Sequence, residues 1–179
     1  MKIVIDTCVL YPTVMREMVL AVAARGHFTP IWSARILEEW ARAAIKLGPQ
    51  GEMQARSEIA LLRSRWPDAE QAAAPGIEAR LWLPDPADLH VLAVAVDASA
   101  DAIMTLNAKD FPRNILEEEG LARVDPDGFL RGIWQEHPKD VADAANAVLE
   151  EARRLSDKGW EMRALLKKAR LPRLAKALG

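Results

Sequence analysis

The chain reads as an α/β fold, a parallel sheet of about five strands between layers of helices. Three observations carry this reading. Short apolar or β-branched runs alternate with helix-period stretches up to about residue 130. The opening "KIVID" is too apolar for an exposed edge and suits a sheet centre covered on both faces. Beyond residue 130 the pattern is helical only. The expected organisation is an α/β domain over 1–130 and a C-terminal helical extension over 131–179, packing on that domain or on a partner.

The elements follow in order. "KIVID" is the first strand. "MREMVLAVAARG" is an apolar-periodic helix closed by Gly26. "FTPIW" is the second strand. Ser33 is placed to cap the helix "ARILEEWARAAIKLG", which Gly48 and Pro49 stop. "EMQARSEIALLRSRW" is an amphipathic helix, "PDAEQAAAPG" a helix or loop, and "IEARLWL" the third strand. Asp85 caps a helix that has Pro86 at its first position and runs to about Ala98. "DAIMTL" is the fourth strand, "NAKDFPRN" a loop, "ILEEEG" a short helix and "LARVD" the fifth strand. The tail is helical, with "VADAANAVLEEARRL" first and a last piece split at Pro172. Its many Arg and Lys fit either the solvated face of a docked helix or an arm that packs on a partner.

Composition narrows the class. The 179 residues suffice for a real core, and 50% hydrophobic with 28% charged is an ordinary globular balance. Lys and Arg total 24 against 26 Asp and Glu, a net charge of −2. This excludes binding of nucleic acid by bulk charge, though not by a local basic surface. The single cysteine, Cys8, rules out an internal disulfide and a Cys-rich zinc site. With no signal-peptide pattern in "MKIVIDT" and no run long enough to span a bilayer, the expected location is cytoplasmic, with no membrane partner.

The acids carry the chemistry. In parallel α/β folds ligands gather at the carboxyl ends of the strands, and that rule sorts them. Asp6 ends the first strand, where it also suits a turn or cap. Asp88 falls in the first turn after Asp85, where the helix dipole favours a carboxylate by about 0.3–1 kcal/mol. That helix begins at the edge where the first strand ends, so Asp88 should converge on Asp6. Asn107 and Asp110 follow the fourth strand at the same edge. Asp101 opens that strand, and at about 3.3 Å per residue it lies at the opposite edge. Asp97 reads as solvated. Glu38 and Glu39 point about 100° apart on their helix, and the apolar pattern does not choose between them. Asp6, one Glu, Asp88 and Asp110 make a hard-oxygen set suited to Mg2+ or Mn2+, and so to phosphodiester chemistry.

At this point the residues resemble the PIN-domain ribonucleases. "IVIDTCVL" is similar to their opening strand with its first Asp. "WSARILEEW" resembles their second motif and selects Glu39. "PDPADLHVLAVAV" resembles the third and selects Asp88, and "DAIMTLNAKDFP" the fourth, with Thr105, Asn107 and Asp110. The resemblance covers about residues 1–130 and is nearest to the VapC-like toxins of bacterial toxin–antitoxin pairs. It implies a PIN-like three-layer α/β/α fold and a Mg2+- or Mn2+-dependent endoribonuclease that hydrolyses RNA with metal-activated water. It also implies a homodimer and a cognate antitoxin that lays a peptide across the acidic site. Asp6, Glu39, Asp88 and Asp110 are then the catalytic residues and ligands of one or two ions. Two departures stand out. Cys8 replaces a common Asn, and Asn107 stands where many relatives have Asp, removing one charge from a second ion.

Thr105 and Asn107 are candidates to hydrogen-bond the attacking water or a ligand carboxylate. Arg16, Arg35, Lys109 and Arg113 are candidate phosphate contacts. His90 reads as a packed histidine, Cys8 as a packed thiol, and most of the six tryptophans as core. The competing class is a non-catalytic PIN-like scaffold or RNA-binding module. An aspartyl-nucleophile phosphatase would need a second Asp where Cys8 stands.

Overall fold

The computed structural model describes residues 1–179. In chain order the elements are β1 (Lys2–Ile5), α1 (Thr7–Leu10), α2 (Thr13–Ala23), β2 (Thr29–Ser33) and α3 (Ala34–Ala43), which ends in a 3-10 turn. Next come α4 (Pro49–Arg65), β3 (Glu70–Gln71), α5 (Pro75–Glu78), a 3-10 turn over Pro86–Asp88, and α6 (Leu89–Asp97). Then follow β4 (Ala102–Met104), α7 (Arg113–Glu118), β5 (Ala122–Val124), α8 (Pro126–Glu136), α9 (Pro138–Leu155), α10 (Met162–Lys168) and α11 (Pro172–Leu178).

The five strands form one all-parallel sheet in the order β3-β2-β1-β4-β5, flanked by helices. β1 is central, with Val4 opposite Ile31 of β2 on one side and Ile103 of β4 on the other. Its apolar run is buried because both edges and both faces are taken: Ile3, Val4 and Ile5 have no exposed surface. From β1 the chain builds outward through β2 to β3, then returns to lay β4 against the other side of β1. The order therefore switches between β1 and β4, the place where folds of this type gather ligands at the carboxyl ends.

By packing, the chain divides into two units. The first comprises Met1–Tyr11 and Thr29–Arg123 and holds the sheet, with α6 laid across β1, β2 and β4. The second comprises Pro12–Phe28 and Val124–Gly179. There α2 packs on α8 and α9, and α11 packs on α8 and α10. The tail is docked by Leu165, Leu166, Leu171 and Leu174, all buried. Asp127, 7% exposed, fixes its last helix: its carboxylate accepts the N–H groups of Arg173 and Leu174, each at 2.9 Å. Pro172 is tolerated because the first helical position needs no donor.

One strand is misplaced in the sequence reading. "IEARLWL" is not the third strand: its start lies in α5 and the rest is turn and loop. The third strand is Glu70–Gln71, inside the stretch read as helix or loop, and pairs with Trp32 and Ser33. Apolar–charged alternation makes a strand only where a sheet edge is open, and residues 70–71 already occupy the free side of β2. Pro75 also presets the first turn of a helix. Ile77 is then only half-buried and Trp82 is 66% exposed.

Candidate functional site

Asp6 leaves β1 at the switch point. It is 4% exposed, and its N–H continues the ladder to the Met104 carbonyl at 3.0 Å. Three donors hold its carboxylate. The Thr105 hydroxyl donates to Oδ2 at 2.8 Å, the Cys8 thiol to Oδ2 at 3.3 Å, and the Thr7 N–H to Oδ1 at 2.8 Å. Burial nevertheless raises the Asp6 pKa; the three hydrogen bonds oppose this and the charge of Glu39 adds to it. Burial, with the charge of Asp6, pushes the Cys8 thiol up to about 12. Cys8 also accepts the Leu106 N–H at 3.3 Å. It is a structural thiol tying β1 to the end of β4, not a reactive one.

The helix phase separates the two glutamates. Ser33 caps α3 by accepting the Ile36 N–H at 3.2 Å, which fixes the rotation of the helix. Glu38 then faces Arg56, at 2.9 and 3.0 Å, and Arg42, at 3.3 Å. The hydrogen bonds from Arg56 lead in drawing its carboxyl down to about 2. Glu39 turns to the strand ends. The Thr7 hydroxyl shares its proton between the Ile36 carbonyl at 2.9 Å and Glu39 Oε2 at 3.2 Å.

Asp85 and Asp88 divide their roles. Asp85 accepts the Ala87 N–H at 2.9 Å as the cap of the turn, with Pro86 following. Asp88 makes no capping bond. Its carboxyl is pushed up to about 6, first by burial and then by the charges of Asp6, Asp110, Asp85 and Glu39. Asp6, Glu39 and Asp110, three of the acids singled out in the sequence, thus stand within electrostatic reach of the fourth, Asp88, as does Asp85. No cation partner offsets Asp88. At the opposite edge Asp101 accepts the Lys2 N–H at 2.7 Å, a purely structural bond, and Asp97 is exposed.

The remaining candidates fall in different places. Thr105 is buried, holds Asp6 and accepts the Asn107 N–H at 3.0 Å. Asn107, Lys109 and Arg113 are exposed around Asp110. Arg35 is exposed at the start of α3, 3.6 Å from Glu78. Arg16 is 3% exposed on α2 with Nε 3.7 Å from Glu17, so it is not a surface cation.

Two supporting residues escaped the sequence reading, and a third, His90, has a neighbour that it did not foresee. Thr7 orients Glu39. Arg123 donates to the carbonyls of Ala108 and Phe111, at 3.1 and 3.0 Å, and so braces the loop carrying Asp110. His90 is buried as expected, but its Nε2 stands 2.5 Å from Glu39 Oε1. Neither ring nitrogen has an aligned hydrogen bond, so this is a close contact rather than a directed one. The ring also lines a cavity of about 230 Å³ with Ser33, Arg35, Gln71 and Glu78. The signal for His90 was its spacing: it lies two residues beyond Asp88, on the helix that crosses the strand ends.

The donor chemistry suits a hard divalent cation. At Asp88 burial and the charges of four other carboxylates act together, which a hard divalent cation would offset. The comparisons agree in class. The PIN domain family model matches residues 2–109, more than half of the 179, and the chain belongs to that family. PIN domains are generally nucleases, most of them metal-dependent ribonucleases. The match includes Asp6, Glu39 and Asp88 and stops one residue before Asp110. No curated protein and no solved structure matches the chain.

Proposed function

We propose that this protein is a Mg2+- or Mn2+-dependent endoribonuclease, the toxin of a toxin–antitoxin pair of the VapC-like type. The observation that supports it most is Asp88, a half-buried carboxyl pushed up to about 6 among four other acids at the carboxyl ends of the strands. Such an arrangement costs stability unless a cation offsets it.

Asp6, Glu39, Asp88 and Asp110 hold the ion. When bound, one or two such ions lower the pKa of water and stabilise charge on the scissile phosphate. Thr105, Thr7 and the cap at Ser33 fix the directions of Asp6 and Glu39, so the ligand oxygens are set before RNA arrives. Lys109 and Arg113, exposed beside Asp110, and Arg35 at the start of α3 supply phosphate contacts. Asn107 hydrogen-bonds the substrate or the attacking water, and its missing charge favours one ion over two. A homodimer and a small antitoxin complete the assembly, in the cytoplasm. A basic side chain of the antitoxin would neutralise the same acids that the cation does.

The test is cleavage of a mixed structured RNA pool by purified protein. Cutting with Mg2+ or Mn2+, none with EDTA, and a fall to background in Asp6→Asn and in Asp88→Asn with far-UV circular dichroism unchanged is the expected result. Full activity in both variants would exclude this mechanism.

A further inference from the structure

The chain has three histidines. His90 belongs to the acidic edge, and the other two meet in the second unit. His27 Nε2 lies 2.9 Å from Asp140 Oδ2, and the His27 and His137 rings are 4.7 Å apart between centroids. One donor atom from each of His27, His137 and Asp140 lies within 4.8 Å of the other two. We propose that these three residues form a second metal site, of different chemistry from the acidic edge, for a borderline transition ion such as Zn2+.

The backbone presents the donors from fixed positions. His27 follows the turn at Gly26, whose φ of 84° suits glycine, and precedes Phe28, which packs edge-on against Phe129 at 5.2 Å. His137 closes α8 and opens α9. Its N–H donates to the Ile133 carbonyl at 2.7 Å, and its carbonyl accepts the Val141 N–H at 3.3 Å. Asp140 stands three residues further on, in the first turn of α9 and on the same face. These positions are held by the packing of α2 against α8 and α9.

Two imidazoles and a carboxylate suit Zn2+ and its neighbours, whereas Mg2+ prefers oxygen alone. Tetrahedral coordination with bonds of about 2.0–2.2 Å separates ligand atoms by about 3.3–3.6 Å. The His27–Asp140 pair has only to open by a few tenths of an ångström, and His137 closes by turning its exposed side chain. An ion here takes the place of the proton that His27 and Asp140 share. The His27 side chain is 12% exposed and Asp140 46%, so one side of the site remains open to a water as fourth ligand. The ion would then brace the end of α2 to the α8–α9 junction.

The test uses the full chain, titrated with Zn2+ in excess Mg2+ so that the acidic edge is occupied. Equilibrium dialysis gives the stoichiometry, and the ring nitrogen resonances of the three histidines report the place. The expected result is one retained Zn2+ per chain, with His27 and His137 shifting together up to one equivalent. His27→Gln and His137→Gln should each weaken retention by about 10-fold or more. His137 is exposed, so its substitution leaves the fold intact. No retained Zn2+, a shift confined to His90, or retention unchanged by His137→Gln would each reduce the cluster to an ordinary ion pair.

Discussion

Asp88 shows how one residue reports the character of a site. Burial and the neighbouring acids push its carboxyl up to about 6 in the folded chain, from an ordinary value of 3.8. The folded state therefore binds this proton more tightly than the unfolded one between those two values. Stability falls as pH rises through that window and levels off above it. Without metal, Asp88→Asn is expected to melt above the parent at pH 7 and to lose that advantage near pH 4. Scanning calorimetry at the two pH values checks this, and equal melting at both would remove the electrostatic strain from the account. At this scale the sequence was partly legible. Asp6, Asp88 and Asp110 could be placed by the edge rule because each follows a strand or opens a helix. Glu39 could not be separated from Glu38 by the apolar pattern. The choice depends on the helix rotation set at Ser33 and on Arg56, 18 residues away, which draws Glu38 aside.

Among the elements, caps and stops were the most readable features, because each is a local matter of backbone donors and permitted dihedrals. Ser33, Asp85, Gly26 and Gly48 all act where they were placed. The third strand was not readable. Two residues make it, and their pairing with β2 is a tertiary fact that no local pattern contains. The docking of α11 was equally hidden, because Asp127 caps a helix that begins 45 residues later in the chain. Asp127→Ala would leave the N–H groups of Arg173 and Leu174 without partners. It is expected to cost about 1–3 kcal/mol of stability, read as a lower denaturant midpoint. An unchanged midpoint would mean that α11 is held by its leucines alone.

For the whole molecule, five acids from four separate stretches of chain reach one sheet edge because every strand runs parallel and the order switches beside β1. That gathering is the property that a cation or an antitoxin would exploit. No helix is long and apolar enough to cross a membrane. Expressed from its natural gene neighbourhood, the protein is expected to copurify with a small partner, and native mass spectrometry would show a complex heavier than one chain. A lone chain of 19.8 kDa would count against the toxin reading while leaving the nuclease untouched. The most direct measurement is a pH titration of the Asp88 side-chain carboxyl by carbon NMR, with and without Mg2+. The expected pKa is near 6 in metal-free protein and falls well below that when Mg2+ is added. An ordinary carboxyl pKa that ignores Mg2+ would contradict the claim that this edge is built around a divalent cation.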